Sequence, residues 1–302
     1  MYETIKSFAK INWVLEILSL RQDNYHNISS VFDFVDLYDK IQVKIEESNK
    51  CDINIRSNLK ELEKNNILHK VVEILDYIKG GPKYKLDIFL EKNIPLKAGL
   101  GGGSSNAASL IYFLFSKKII DLQQSIKICK KTGSDVLPIF LLYLYKNYYV
   151  ACFEKQNICV NIKKNLLNSF EFYLINSSIG IKTEEAYKAY DKILINKNYM
   201  IGNNTYRFIY FSEKNLLDIY FPFLIYNDFE KIVYNKFSVI DEVRKTIEEE
   251  FKGKVRILLC GSGSSLISIL PKDKNNKKEI WEKIKKHFPE INIRKVNYVH
   301  HL

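Results

Sequence analysis

A chain of 302 residues that is 46% hydrophobic and 27% charged is long enough for one large domain or two ordinary ones, and its composition excludes a disordered or fibrous protein. The N-terminus lacks a charged-then-apolar signal pattern, and the longest apolar run, 136–145, contains Pro138 and is too short to span a bilayer, so the expected location is the cytoplasm. The net charge of +11 suits anions, but the lysines are spread over every segment, and their densest cluster, 272–286, also carries Glu279 and Glu282, which favours small anionic substrates such as nucleotides over nucleic acid.

The first 56 residues read as β-rich: 11–18 runs apolar, 28–35 and 41–45 follow, and 51–55 alternates. Residues Leu68, Val71, Val72, Leu75 and Ile78 recur at helical spacing, so a helix is predicted over 67–78, ended by Gly80-Gly81-Pro82. The stretch 83–90 alternates as a strand. A glycine-rich run comes next, then an apolar stretch over 107–115, and a second helix over 122–131 that closes at Thr132-Gly133. This pattern is a sheet with helices over one face, an α+β layout rather than strict βαβ alternation.

Beyond about residue 150 the texture changes. Strands at 147–153 and 172–176 precede mostly helical segments at 184–192, 216–226, 229–234 and 239–251. Strand 255–259, the turn Cys260-Gly261-Ser262-Gly263-Ser264, strand 266–270, helix 278–287 and strand 291–296 make a compact β-turn-β-α-β unit. Two domains, 1–150 and 151–302, with a cleft between them are expected. The five cysteines (51, 129, 152, 159 and 260) show no C-x-x-C pair and sit mostly in apolar runs, so buried free thiols are expected. The histidines offer no metal-ligand spacing.

The run Pro95-Leu96-Lys97-Ala98-Gly99-Leu100-Gly101-Gly102-Gly103-Ser104-Ser105-Asn106 is the most informative segment. Glycine permits positive φ and close approach of a ligand to the main chain. The first N–H groups of the helix that follows lack intrahelical partners and form the positive end of its dipole. Phosphate belongs there, although a glycine hinge or a capped helix start has the same local signature. The run is neither a Walker A loop nor a dinucleotide fingerprint. Its two hydroxyls are placed either to cap the helix or to touch phosphate oxygens or a metal.

Near the N-terminus stands Ala9-Lys10-Ile11-Asn12. Lys10 and Asn12 share one side of a strand by the period-two rule, so a charge and an amide face one ligand unless Lys10 is a solvated edge lysine. Asp135, in Gly133-Ser134-Asp135-Val136, follows a helix and reads equally as a turn or cap aspartate.

Taken together and in order, the A-K-I-N strand, the P-x-x-x-G-L-G-G-G-S-S-N-A-A loop and the late G-S-G-S turn resemble the GHMP kinase superfamily over residues 9–264. Within it, R-x-D-x-Y-H at 21–26 and G-S-D-V at 133–136 are similar to the branch acting on a cytidine diphosphate derivative of methylerythritol. The resemblance implies a two-domain GHMP kinase-like fold with the active site in the cleft between the domains. It implies an ATP-dependent kinase that phosphorylates the 2-hydroxyl of that small molecule in non-mevalonate isoprenoid synthesis, with ATP and Mg2+ as cofactors. No nucleic-acid or membrane partner is implied, and the expected state is a monomer or weak homodimer.

The same resemblance implies roles by residue. Asp135 is the general base, and Lys10 offsets negative charge on the attacking oxygen. The loop 95–105 holds the triphosphate, with Asn66 and Lys92 beside the adenosine. Tyr25 and Tyr187 sandwich the cytosine, His26 reads its polar edge, Thr183 lies near it, and Asn12 contacts the rest of the acceptor. From spacing alone, Tyr187 also fits an ordinary helix face. The chain departs from the family pattern at Asn24 (usually glycine), at Leu137 (inserted before Pro138), at Lys182 (usually proline) and at Cys260 (usually serine). Other kinases of the superfamily, acting on mevalonate, phosphomevalonate or homoserine, and a non-catalytic nucleotide-binding module are the competing readings.

Overall fold

The computed structural model describes residues 1–78, 80–154, 158–177, 179–194, 203–273 and 277–299. Two long strands, β1 (Glu3–Leu20) and β2 (His26–Ser48), pair antiparallel and form the spine of the first sheet. The two segments predicted at 28–35 and 41–45 are thus one continuous strand. β1 is buried without a break from Ser7 to Ile17, because both of its faces are covered, and this explains why its sequence runs apolar instead of alternating. The register slips between Phe8 and Ala9 and again after Asn12, but not between Lys10 and Asn12, so these two keep the shared face that period two predicts.

Beside β2 lies β4 (Lys83–Glu91), antiparallel to it, with β3 (Asp52–Ser57) parallel to β4 at the edge. Two helices precede β4: a single turn, α1 (Glu61–Lys64), and α2 (Ile67–Ile78), which has the predicted bounds. After β4 come α3 (Gly102–Ser116), α4 (Leu122–Thr132) and α5 (Val136–Leu144). Helices α2 to α5 cover one face of the sheet around Leu68, Leu75, Leu110, Leu114 and Phe140, all essentially inaccessible to water. Asp121 caps α4 in a full capping box with Gln124. α3 starts five residues before the apolar stretch that marks it in sequence. Gly102, Gly103, Ser104 and Ser105 are therefore its first turn, not a loop ahead of it.

The chain then returns to the first sheet as β5 (Tyr148–Glu154) beside β2, and β6 (Ile158–Lys163) beside β5. The division expected after residue 150 falls inside β5. Cys152 and Cys159 face each other across this pair and are joined as a disulfide, which corrects the expectation of five free thiols. Cys51, Cys129 and Cys260 are free. The pairing escaped sequence reading because β6, a short and mostly exposed strand, has no clean alternation.

The second sheet begins with β7 (Phe170–Asn176). Helices α6 (Thr183–Leu194), α7 (Asn203–Glu213) and α8 (Leu217–Leu224) follow, then β8 (Tyr226–Asn227), which lies parallel to β1 in the first sheet. The chain ends in α9 (Glu230–Lys236), α10 (Ser238–Glu250), β9 (Arg256–Leu259), β10 (Leu266–Pro271), α11 (Lys277–His287) and β11 (Asn292–Val296). The strand order is β11-β7-β10-β9. The predicted terminal β-turn-β-α-β unit is therefore split, with β7 inserted between β10 and β11. The unit closes only through this long-range pairing, which local pattern does not encode. Trp13 of β1 packs on Phe172 of β7 and Phe221 of α8, with ring centroids 5.6 and 4.8 Å apart, so one apolar layer fastens the second sheet to the back of the first.

Candidate active site

The cleft lies where three chain segments meet: the middle of β1, the glycine loop entering α3, and the turn between β9 and β10. It encloses about 430 Å3 and is lined by most of the residues singled out in the sequence. Backbone contacts fix the three segments together. Lys10 N–H donates to the Leu100 carbonyl at 3.0 Å, and Ser265 N–H donates to the Ala98 carbonyl at 3.1 Å.

Glycine is required at two of these contacts. A Cβ on Gly99 would stand 1.9 Å from the Cys260 carbonyl oxygen, and one on Gly101 would stand 2.6 Å from Cγ of Lys10. Both residues have positive φ, 76° and 63°, which side chains disfavour. Gly101 is the N-cap of α3 and makes no side-chain cap. The serines thus do not cap the helix. The free N–H groups of its first turn open toward the cleft floor formed by Gly101, Gly102, Gly103 and Ser104, the arrangement that suits phosphate oxygens.

Lys10 is 4% exposed, so it is not a solvated edge lysine. Its Nζ donates to Oδ1 of Asn12 at 2.6 Å and lies 3.7 Å from Oδ2 of Asp135. Asn12 is held from its other side, donating to the Ser30 hydroxyl at 2.9 Å. Asp135 stands at the N-cap of α5 without a side-chain cap bond. Its carboxylate therefore belongs to the cleft and not to the helix end. Leu137 and Pro138 are both inside α5 and buried, so the extra residue before the proline is absorbed in the helix.

Lys92 lines the cleft floor, but its ammonium is tied down. It pairs with the fully buried Asp39 and donates to Oδ1 of Asn106 at 3.1 Å. Asp39 also accepts the Asn93 and Ile94 N–H groups at 2.7 and 2.8 Å and the Asn106 amide at 2.9 Å. A buried pair with every remaining site satisfied adds little net stability, yet breaking one side costs about 3–5 kcal/mol. This network fixes the strand end before the loop to the helix after it. Asn66 is likewise a helix-start residue: its Oδ1 accepts the Leu68 N–H at 3.1 Å and its side-chain amide donates to the Leu62 carbonyl. The cleft wall there is the next residue, Ile67, and Asn66 is outside the lining. Ser105 is fully buried, and its Oγ has no hydrogen-bond partner among the described residues.

On the opposite wall, Thr183 and Tyr187 of α6 enter the cleft with Phe229 and Ser262. The Thr183 and Ser262 hydroxyls lie 3.0 Å apart. Tyr187 stacks on His26 at 4.7 Å with a 24° tilt and meets Phe229 edge-on at 4.8 Å. Burial pushes its phenol well up, reinforced by the charge of Asp135. A ring face of Tyr187, which the resemblance assigns to the cytosine, thus carries His26. Tyr25 is 55% exposed, and neither it nor His26 lines the cleft. Asn24 takes φ of 59°, the left-handed turn for which glycine is usual.

Three contributors were missed in sequence. Asp191 of α6 holds Nε2 of His26 at 2.6 Å. Asn227 is buried and donates both amide hydrogens to turn carbonyls, those of Leu259 and Gly261, each at 2.7 Å, while accepting the Phe229 N–H at 2.9 Å. Asp39 anchors the loop. Helical spacing of four from Tyr187 marks Asp191 as sharing its face, but no local pattern reveals the partners of Asn227 or Asp39. Burial pushes the Cys260 thiol up to about 12, with Lys10 acting the other way, so it is a packing residue behind the turn.

The arrangement joins a phosphate cradle, a buried cation and a carboxylate in one cavity. A triphosphate fits the cradle, which pairs positive-φ glycines with a helix start. For a divalent cation the donor set is thinner. Asp135 is the one carboxylate in the lining, and among the described residues no three of His, Cys, Asp and Glu stand together. That set fits Mg2+ carried on phosphate oxygens with one or two protein ligands.

A family model of the GHMP kinases N terminal domain matches residues 66–141. The chain is 35% identical to 4-diphosphocytidyl-2-C-methyl-D-erythritol kinase of Thermosipho melanesiensis over 88% of its own length and 89% of the relative's. It is 31% identical to the Thermodesulfovibrio yellowstonii kinase of the same name, over 93% of each chain. A crystal structure of 4-(cytidine 5'-diphospho)-2C-methyl-D-erythritol kinase superposes with a TM-score of 0.69 at 20% identity, covering 98% of this chain and 99% of that one. Lactococcus lactis galactokinase, complexed with galactose, superposes at 0.67 with 12% identity, over 99% and 94%. The α+β, two-domain GHMP kinase fold expected from sequence is the observed one. No helix among the described residues is long and apolar enough to cross a membrane.

Proposed function

The chain belongs to the 4-diphosphocytidyl-2-C-methyl-D-erythritol kinase family of GHMP kinases, and on that premise we propose how its residues carry out the transfer. GHMP kinases use ATP, and this enzyme is a phosphotransferase with an alcohol acceptor in non-mevalonate isoprenoid precursor synthesis. The alternatives of a mevalonate, phosphomevalonate or homoserine kinase are not favoured.

The observation that carries the assignment of roles is the placement of Lys10. Its ammonium is 3.7 Å from Asp135 while its backbone and stem are locked to Leu100 and Gly101 of the phosphate loop. One residue therefore fixes the distance between base and cradle. Phosphoryl transfer asks the protein for positioning and charge neutralisation. Backbone N–H groups from Gly99 to Ser104 hold the triphosphate, with Pro95 to Ala98 shaping the entry. Asp135 takes the proton of the acceptor 2-hydroxyl as that oxygen bonds to the γ-phosphorus and ADP leaves. Lys10 offsets the negative charge on the attacking oxygen, and Asn12 orients Lys10 and the acceptor. Ser104 on the cleft floor and Asp135 are the residues that would hold Mg2+, with the Ser105 hydroxyl buried behind the loop; the ion would supply further charge neutralisation when bound.

The acceptor end rests on Thr183, Tyr187 and His26, with Tyr25 the exposed outer member of the cytosine site. Support comes from the stacked His26–Tyr187 pair. Tyr25 closing over the base requires His26 to yield one face of Tyr187. Lys92 and Asn66 act here through the loop and the start of α2, not on adenosine directly. The division near residue 150 is functional in this reading: Lys10, the loop and Asp135 precede it, while Thr183, Tyr187 and Ser262 follow. We take a monomer or weak homodimer as the working state, with a small-molecule acceptor and no nucleic acid or membrane in the reaction. Both substrates are cytoplasmic anions, which is where we place the reaction.

The experiment is an acceptor panel with ATP: 4-diphosphocytidyl-2-C-methyl-D-erythritol, mevalonate, phosphomevalonate and homoserine. The cytidine compound is expected to exceed the others in kcat/KM by at least about a thousandfold, the discrimination a site built to hydrogen-bond its substrate achieves. Comparable turnover of any other acceptor contradicts the reading.

A further inference from the structure

We propose that the Lys97 side chain receives the diphosphate of the acceptor and so sets the affinity of this chain for a nucleoside-diphosphate-linked alcohol. The inference rests on the reading above. Lys97 sits in the phosphate loop with φ of 54°, in the left-handed region that a residue with a Cβ disfavours. Glycine would hold the same backbone without that cost. The loop therefore carries strain at a position where only a side chain distinguishes lysine from the glycines around it.

That side chain lines the cleft, and its surroundings point it to the acceptor side. The Lys97 carbonyl accepts the Ile181 N–H at 3.1 Å. Its stem lies over Gly180, where an added Cβ would come within 3.4 Å of Lys97 Cβ and 3.6 Å of Cδ. Gly180 and Ile181 lead directly into α6, which brings Thr183 and Tyr187 to the cleft. Lys97 thus bridges the loop that holds one anion and the helix that holds the cytidine end of the other.

Charge decides between the cleft lysines. Lys10, Lys92 and Lys97 are the three in the lining. Lys10 is engaged with Asp135 and Asn12, and Lys92 with Asp39 and Asn106. Among the described residues Lys97 has no carboxylate partner, and it is exposed. The triphosphate has the α3 start and the loop N–H groups. The two phosphates of the acceptor have Lys97, whose ammonium and flexible stem suit an anion reached across the seam.

The test is Lys97→Gly, which keeps the backbone conformation and removes only the side chain. Steady-state kinetics are taken with each substrate varied in turn, at low and at moderate salt. The KM for the cytidine acceptor is expected to rise roughly tenfold, as for loss of one charge-assisted contact, with the KM for ATP unchanged and the melting temperature not lowered. Lys97→Arg restores most of the affinity, and the salt dependence of the acceptor KM flattens in the glycine variant. A rise in the ATP KM instead, or no change in either KM, overturns the proposal. If the wild-type protein fails to turn over the cytidine compound, the underlying reading falls with it, an outcome distinct from an active enzyme indifferent to Lys97→Gly.

Discussion

Nζ of Lys10 and Oδ2 of Asp135 are 3.7 Å apart although the residues come from the first strand and the start of the fifth helix. The contact forms across the mouth of the phosphate loop, and the loop itself fixes the lysine. Lys10→Met removes the cation and leaves the stem that packs on Gly101. It is expected to lower kcat by roughly a hundredfold or more, the usual effect of deleting one electrostatic contact to the reacting oxygen. An ATP titration monitored by calorimetry should show affinity within a few-fold of wild type, since the loop N–H groups remain. Unchanged kcat would remove Lys10 from the chemistry.

Gly99 and Gly253 give a matched pair that separates backbone strain from close approach. Both have positive φ, 76° and 71°, but a Cβ on Gly99 would clash with Cys260 while one on Gly253 meets nothing within 4 Å. Gly253→Ala is expected to cost about 1 kcal/mol of stability with no change in ATP affinity. Gly99→Ala, which must push the loop from the turn, is expected to weaken ATP binding at least about tenfold. Equal effects of the two on ATP binding would mean that the loop-to-turn contact does not shape the cradle.

Asn227 holds the turn behind the cleft with two donors that no carboxylate can supply. Asn227→Asp sets a charged oxygen against two carbonyls in a buried site, and about 2–4 kcal/mol of stability should be lost. The denaturant midpoint reads this loss. Because Gly261 abuts Lys10, kcat should fall as well. A variant with wild-type stability would show that the turn keeps its shape without the amide.

Local signals were legible in proportion to how locally they are caused. The helix at 67–78 has the bounds that periodicity assigns, and the strand assigned to 83–90 runs one residue further, to Glu91. The glycine loop is evident because its need for absent side chains is written in consecutive residues. Lys10 and Asp135 are ambiguous alone, since what distinguishes them from a surface lysine and a cap is a contact between positions 125 residues apart. The helix 203–213 was not marked, because its apolar residues are interrupted by Asn204, Arg207 and Ser212. Glu16 of β1 accepts the Asn204 and Thr205 N–H groups at its start, a cap supplied from far along the chain. Tyr187 was expected to stack on a base with Tyr25, but its neighbour across the face is His26, held there by Asp191.

The central claim is that Asp135 is the base of a phosphoryl transfer to the cytidine-diphosphate acceptor. It is tested most directly by Asp135→Asn, assayed for transfer from ATP to 4-diphosphocytidyl-2-C-methyl-D-erythritol beside an ATP binding isotherm. The account predicts that kcat falls by roughly 10²–10⁴ while ATP affinity stays within about twofold and the melting temperature changes little, since the side chain makes no helix-cap bond. Wild-type turnover in Asp135→Asn would contradict it.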